Sequence, residues 1–342
     1  MKTSRFPATA AVLLAALALV PASWAAPGKH SGTITTTVDL SAYDPAGEAE
    51  LWLPYPVSDR DQAITDVKVS GDFAASAVYA DAAFSTPMLY ARWNKGATSR
   101  KLTFSFRAER SEVIRRDFPA VEGAWNRADF APYLAATSLG PLDGEVGKLA
   151  RTITAGKTTV LEKARAIYDW TCENTYRDPK TRGCGAGDVC ALLKQPGGKC
   201  ADIHSVFVAL ARAAGVPARE TFGIRMGKKA TEDVSTWQHC WAEFYLPGYG
   251  WVPVDPADVR KAMLVENLKL DDAKTREYRT YFWGGIDPYR VKLSAGRDLT
   301  LNPPQPGGPV NYLMYPFARV GGKIIDSLDP ATFKYSIIYT AR

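Results

Sequence analysis

Gly197-Gly198-Lys199-Cys200-Ala201-Asp202-Ile203-His204-Ser205-Val206-Phe207-Val208-Ala209-Leu210-Ala211-Arg212-Ala213-Ala214-Gly215-Val216-Pro217 is the stretch on which the fold turns. Apolar residues at Ile203, Val206, Phe207, Leu210, Ala211 and Ala214 recur at the spacing of one helical face. Gly215 suits the position just past a helix, and Pro217 prevents continuation. Cys200 falls in the first turn, where unpaired amides and the helix dipole favour an anion and lower a thiol pKa. The glycines before it leave room for a substrate backbone. Cys200 shares a face with Ile203 and Phe207, so its sulfur is expected to point toward a sheet. A buried or disulfide-bonded cysteine is the plainer alternative.

Downstream the pattern turns to strands over 219–225, 237–246 and 251–255, with Pro247-Gly248-Tyr249-Gly250 as the turn between the last two. Alternation puts Trp237, His239, Trp241 and Glu243 on one face, and Gln238, Cys240 and Ala242 on the other. A five-residue loop from Leu246 to Gly250 sets Tyr245 opposite Trp251 and Trp241 opposite Asp255. Asp255 then becomes the diagonal same-face neighbour of His239. In that register Asp255 fixes the imidazole, and His239 takes the proton from Cys200. A structural histidine is the alternative for His239. His204, one helical turn after Cys200, is the rival base. No strand carboxylate is expected to orient it, so a supporting or structural role is favoured. Trp241, Trp251 and Tyr249 are expected in the core rather than in a substrate groove. A helical run follows over 263–276. Strands return after 289, with 312–317 and 333–339 the clearest.

Upstream, Thr159 followed by Glu162 has the form of a capping box, and the apolar spacing beyond it predicts a helix to residue 174. Residues 177–198 are rich in Gly, Pro and charge and read as a loop with a helical turn over 189–193. Residues 112–156 read as a connector with one or two short helices. Before them lie short β-rich runs at 33–40, 49–53, 63–69, 77–79, 88–93 and 101–107, the spacing of a β-sandwich. The expected division is therefore a signal peptide (1–25), an N-terminal β-sandwich-like domain (26–112), a connector (113–157), a catalytic core (158–260) and a C-terminal β-rich extension (261–342).

The signal reading rests on Lys2 and Arg5 ahead of an Ala/Leu/Val run, with Ser23-Trp24-Ala25 offering cleavage after Ala25. A periplasmic or secreted product is expected, without membrane insertion once the signal is removed. An uncleaved N-terminal anchor is the rival. Losing Lys2 and Arg5 takes the formal charge from +6 to +4, and the remaining basic residues are scattered, so nucleic acid is not an expected partner. Nor does charge argue for anionic cell-wall polymers. Five cysteines leave one unpaired in an oxidising compartment, and a reactive thiol is one explanation. If Cys200 is that thiol, Cys172, Cys184, Cys190 and Cys240 allow three pairings. Cys184 and Cys190 lack the spacing and histidines of a structural zinc site. His30 near the N-terminus is expected to be disordered.

Three segments resemble the bacterial transglutaminase-like family: Gly-Gly-Lys-Cys200-Ala-Asp-Ile-His through Arg219, Gln-His239-Cys-Trp-Ala-Glu-Phe-Tyr, and Gly-Trp-Val-Pro-Val-Asp255-Pro-Ala. The resemblance is tight over about 158–260. It implies an α+β, papain-like core, with the cysteine helix packed on an antiparallel sheet. It implies thiol acyl chemistry on peptide or protein amides, by hydrolysis or transamidation, with Cys200, His239 and Asp255 in the family roles. No cofactor is expected. Calcium dependence is not carried over, because no acidic cluster has calcium-site spacing. For the oxyanion, the Cys200 amide is one donor and Gln195 a weaker second. Protease or amidase activity is favoured, on a peptide or protein substrate, with cell-envelope material one candidate. The alternatives are a catalytically silent binding or scaffolding module at the cell envelope, and a cell-wall peptidase of another papain-like family.

Overall fold

The computed structural model describes residues 28–341, so the expected signal segment and its cleavage point lie outside the described residues. The architecture is mixed α+β. Strands β1 (Lys29–Asp39), β2 (Ala49–Pro54), β3 (Gln62–Gly71), β4 (Ala75–Ala80), β5 (Pro87–Trp93) and β6 (Lys101–Ser111) occupy the N-terminal stretch. In β1, Ile34, Thr36 and Val38 are buried while Thr33, Thr35 and Thr37 lie nearer the surface, the alternation of a half-buried strand. His30 is placed in β1 rather than in a disordered end. Its Nε2 lies 2.8 Å from the Gly227 carbonyl and 2.9 Å from the Tyr339 hydroxyl.

Beyond the two-residue β7 (Val113–Ile114) come a 3₁₀ turn (Arg127–Tyr133), α1 (Gly144–Ile153) and α2 (Val160–Asn174). The expected capping box opens α2, with Thr159 accepting from the Glu162 amide and Glu162 accepting from the Thr159 amide. Then follow β8 (Tyr176–Arg177), α3 (Val189–Lys194), β9 (Gly197–Gly198) and α4 (Cys200–Ala213). Strands β10 (Ala218–Arg225), β11 (Thr231–Asp233), β12 (Gln238–Leu246) and β13 (Gly250–Val254) lead into α5 (Pro256–Val265) and α6 (Ala273–Tyr281). The chain closes with β14 (Gly285–Ile286), β15 (Arg290–Ala295), β16 (Phe317–Val320), β17 (Lys323–Ile325) and β18 (Lys334–Ala341).

A central antiparallel sheet, ordered β13-β12-β10-β15, carries α4 on one face. Helix α4 is not amphipathic in its setting. Every residue from Cys200 to Arg212 is buried, because α1, α2 and α3 cover the side that the sheet leaves open. Its polar side chains find partners inside: Arg212 donates through two of its nitrogens to the Ala218 and Ala135 carbonyls, and Ser205 donates to the Ala201 carbonyl. Gly215 takes a φ of +81°, and the Val216 amide returns to the Ala211 carbonyl, closing the helix as its sequence predicts.

Two five-stranded sheets, β11-β18-β1-β6-β3 and β17-β16-β2-β5-β4, pack around a second core. That core also takes in Ile224 of β10 with Val291 and Leu293 of β15, which joins it to the central sheet. Both outer sheets draw strands from each end of the chain: β18 pairs with β1, and β16 pairs with β2.

Two expectations fail locally. The helical run over 263–276 is two helices. With Asp255 as its N-cap, the first starts at Pro256, seven residues earlier, and Asn267, at a φ of +53°, turns the chain after it. Asp272 then stands at the N-cap position of the second helix, its carboxylate accepting from the Lys269 amide in the preceding turn rather than from the helix. The stretch 312–317 is not a strand before Phe317. Its apolar residues pack instead: Tyr312 stacks on Phe222 with ring centroids 4.8 Å apart, and Leu313, Met314 and Tyr315 are buried.

Candidate active site

Cys200 is the first residue of α4 and only 3% exposed. Two devices place it. The Ala201 amide donates to the Cys184 carbonyl at 2.9 Å, tying the helix start to the preceding loop. Asp202 accepts from the Lys199 amide at 3.0 Å and the Gly187 amide at 2.8 Å. That fold of the loop needs glycine: at Gly185, with a φ of +95°, an added Cβ lies 1.9 Å from the Asp202 carboxylate.

Three thiols gather here. Cys184, Cys200 and Cys240 pack with Ala201, Ile203 and Phe222, and all five cysteines are free thiols. The Cys200 thiol is held well below the usual thiol range by hydrogen bonds from Cys184 and then Cys240, with the charges of His239 and His204 adding to them against the cost of burial. Cys184, through its bond to Cys200, and Cys240, through burial, are pushed well up. The negative charge of the cluster thus belongs to Cys200. Cys240 faces α4 and packs without a disulfide.

His239 is 5% exposed on β12. Its Nε2 lies 2.8 Å from Oδ1 of Asp258, and its Nδ1 lies 2.7 Å from the Cys240 carbonyl. A carbonyl only accepts. The Asp258 carboxyl is held well below its usual range: burial pushes it up, but His239, Arg225 and Arg290 outweigh that. Both ring nitrogens are therefore donors, the pattern of an imidazolium beside a thiolate.

Asp255 goes elsewhere. The expected register is present, with Tyr245 opposite Trp251 and Ala242 opposite Val254. Yet the Asp255 carboxylate accepts from His204 Nε2 at 3.0 Å, from the Asp258 amide at 2.7 Å and from Arg290. The reason is local. Strand β13 ends at Val254, and Asp255 is the N-cap of α5, so strand alternation no longer sets its direction. Asp258, one turn into α5, takes the place beside His239. His204, for which no strand carboxylate is expected, thus has a carboxylate from the N-cap of α5. Its Nδ1 lies 3.4 Å from Cys240 Sγ, and it is wholly buried. Arg290, also wholly buried, binds Asp255, Asp258 and Asp287, while Arg225 binds Asp258 and Asp287.

Sequence reasoning missed Asp258, Arg290 and Arg225. An Asp-Pro-x-Asp start is a readable helix N-terminus, and it could have pointed to Asp258. Nothing in the sequence singles out Arg290. Donor atoms of His239, Asp255 and Asp258 lie within 4.8 Å of one another. The two guanidinium groups already hold the carboxylates, so the set reads as an ion-pair network rather than a cation site.

A groove of about 640 Å³ opens over Cys200 and His239. Trp237, Tyr315, Phe333 and Tyr335 are among its aromatic walls. Trp241 instead packs against Val113 and Ile286, and Trp251 lies under the Arg219 guanidinium. Gln195 ends α3, exposed, and does not line the groove.

Residues 147–256 match the family model of the transglutaminase-like superfamily. The chain is 36% identical over 339 residues to an uncharacterized protein of Haemophilus influenzae, covering 90% of this chain and 91% of that one. The chain belongs to the transglutaminase-like superfamily. The crystal structure of a candidate cysteine protease from Cytophaga hutchinsonii shares the fold at 14% identity, with a TM-score of 0.55 over 91% of this chain and 90% of that one. Membership in this superfamily supports a thiol enzyme in general terms. Among the described residues no helix is long and apolar enough to cross a membrane.

Proposed function

We propose that this transglutaminase-like chain is an exported thiol enzyme, periplasmic or secreted, that opens peptide or protein amide bonds through an acyl-enzyme on Cys200, by hydrolysis. One observation carries the reading: Cys200, at a helix N-terminus, and His239, held by Asp258, line the same groove. The thiolate adds to the amide carbonyl carbon. The resulting oxyanion meets the Cys200 amide, which as the first of the helix has no intrahelical acceptor. His239 Nδ1 turns from the Cys240 carbonyl and gives its proton to the leaving amine, while Nε2 stays on Asp258. Water then attacks the thioester, His239 takes its proton, and the acid leaves as the thiolate re-forms. In this scheme Asp258 orients His239 directly. Asp255 acts behind it, holding the Asp258 amide, His204 and Arg290 in place. His204 and Asp255 form a buried support rather than a second acid–base pair.

The test is the rate of iodoacetamide alkylation across pH in the mature protein, located by peptide mass spectrometry, with Cys200→Ser and His239→Ala beside it. Cys200 is expected to react alone and fast near neutral pH, and His239→Ala is expected to shift the profile upward. An inert Cys200 overturns the proposal and leaves a binding module as the reading.

A further inference from the structure

The groove over Cys200 has an uneven charge. Five cationic side chains line it, Arg177, Arg182, Lys199, Arg225 and Lys261, and among the described residues no aspartate or glutamate does. Two of the five are spoken for: Arg225 by Asp258 and Asp287, and Arg182 by Asp326. Arg177, Lys199 and Lys261 have no carboxylate partner among the described residues. All three are half-buried, so their charges face the groove with incomplete hydration.

Their positions are set by the elements that build the site. Arg177 lies on β8, opposite Gly198 of β9 in a parallel pair, two residues before Cys200. Its charge reaches Cys184, the thiol packed beside Cys200. Lys199 is the residue immediately before Cys200. Lys261 stands one helical turn after Asp258 on α5, which packs against β8. Three unpaired cations thus surround the end of the groove where acyl transfer is proposed to occur. Trp237, Tyr315, Phe333 and Tyr335 add an aromatic wall to the same groove.

Leaving three like charges on one groove without ion-pair partners costs stability, and a cleft with low-dielectric walls focuses their field on whatever enters. The molecule that enters must itself carry the amide, so the matching anion sits on the peptide.

We propose that the groove selects acidic peptides, with a substrate carboxylate beside the reacting amide held by Arg177, Lys199 and Lys261 while the apolar remainder lies on the aromatic wall. This deepens the amide-cleaving reading above and rests on it.

The test compares two small electrophiles that differ only in charge, iodoacetate and iodoacetamide, reacting at Cys200 of the full mature chain. Their rate ratio cancels changes in thiolate fraction, which affect both reagents alike. Wild-type protein is expected to favour iodoacetate more than a free cysteine peptide does. Arg177→Gln and Lys261→Gln, made separately, are each expected to lower the ratio about threefold, and raised salt to lower it in the wild type. Lys261→Glu is expected to lower it further. A ratio unmoved in all three variants overturns the acidic-peptide inference, and rapid labelling by iodoacetamide in the same samples leaves the thiol-enzyme reading standing. If neither reagent labels Cys200, the thiol-enzyme reading fails and the inference fails with it.

Discussion

Cys200 shares its pocket with two other thiols, and the division of charge among them is the most consequential feature at the residue scale. Three sulfurs in contact hold one negative charge most cheaply where hydrogen-bond donors and positive charge converge. Cys200 has the helix N-terminus, two thiol donors and two histidines, whereas Cys240 and Cys184 have mainly burial and the Cys200 charge against them. A thiol with a lowered pKa is ionised at lower pH, so alkylation of Cys200 is expected to reach half its plateau well below the ordinary value of 9.0. A profile centred near that value would remove the ion pair from the account. The two aspartates are separable in the same way. Asp258→Asn keeps the shape but removes the acceptor that orients His239, and a loss of about 10³-fold in turnover is expected with little change in substrate affinity. Asp255→Asn leaves Arg290 and His204 buried with a weakened partner and is expected to cost about 3–5 kcal/mol in urea unfolding. Asp258 also sets an acid limit. Its folded carboxyl lies below the ordinary 3.8, so its contribution is full above that value and lost as pH falls toward the folded one.

Elements were legible where local pattern and local structure share a cause. The capping box of α2 is such a case, because Thr159 and Glu162 are bonded to amides within the same turn. Thr159→Ala is expected to lower stability by about 1 kcal/mol in urea unfolding, without altering Cys200 alkylation. The limits of α4, the β12–β13 hairpin and its register were likewise readable, since turn residues and alternation set them. The reading broke at the end of β13. Alternation was extended one residue too far, to Asp255, where the chain had already begun a helix. The same dipeptide, Asp255-Pro256, is a helix-start signal, and giving it precedence over alternation would have directed attention to Asp258. The burial of α4 on all sides also escaped its periodicity, because His204, Ser205 and Arg212 look like a solvated face until their internal partners are known.

At the scale of the molecule, the ends of the chain are sewn together. Strand β18 lies between β1 and β11, and Tyr335 within it also lines the groove. Truncation before Lys334 is expected to remove Ile337 and Tyr339, expose the apolar face around Ile34 that they help to cover, lower the melting temperature and reduce substrate affinity together. A truncated chain that melts like the full one would mean that the outer sheet does not depend on its C-terminal strand. Sequence alone determined the α+β class, the Cys200 helix, the His239 strand and the order of both along the chain, because each depends on spacing within a few residues. Only the tertiary structure decided which carboxylate meets which histidine, that Arg290 joins them, and that strands from both ends build the outer sheets. Those pairings span tens to hundreds of residues, and a buried charge accepts whichever partner the packing brings within hydrogen-bond distance, a choice that no local pattern encodes.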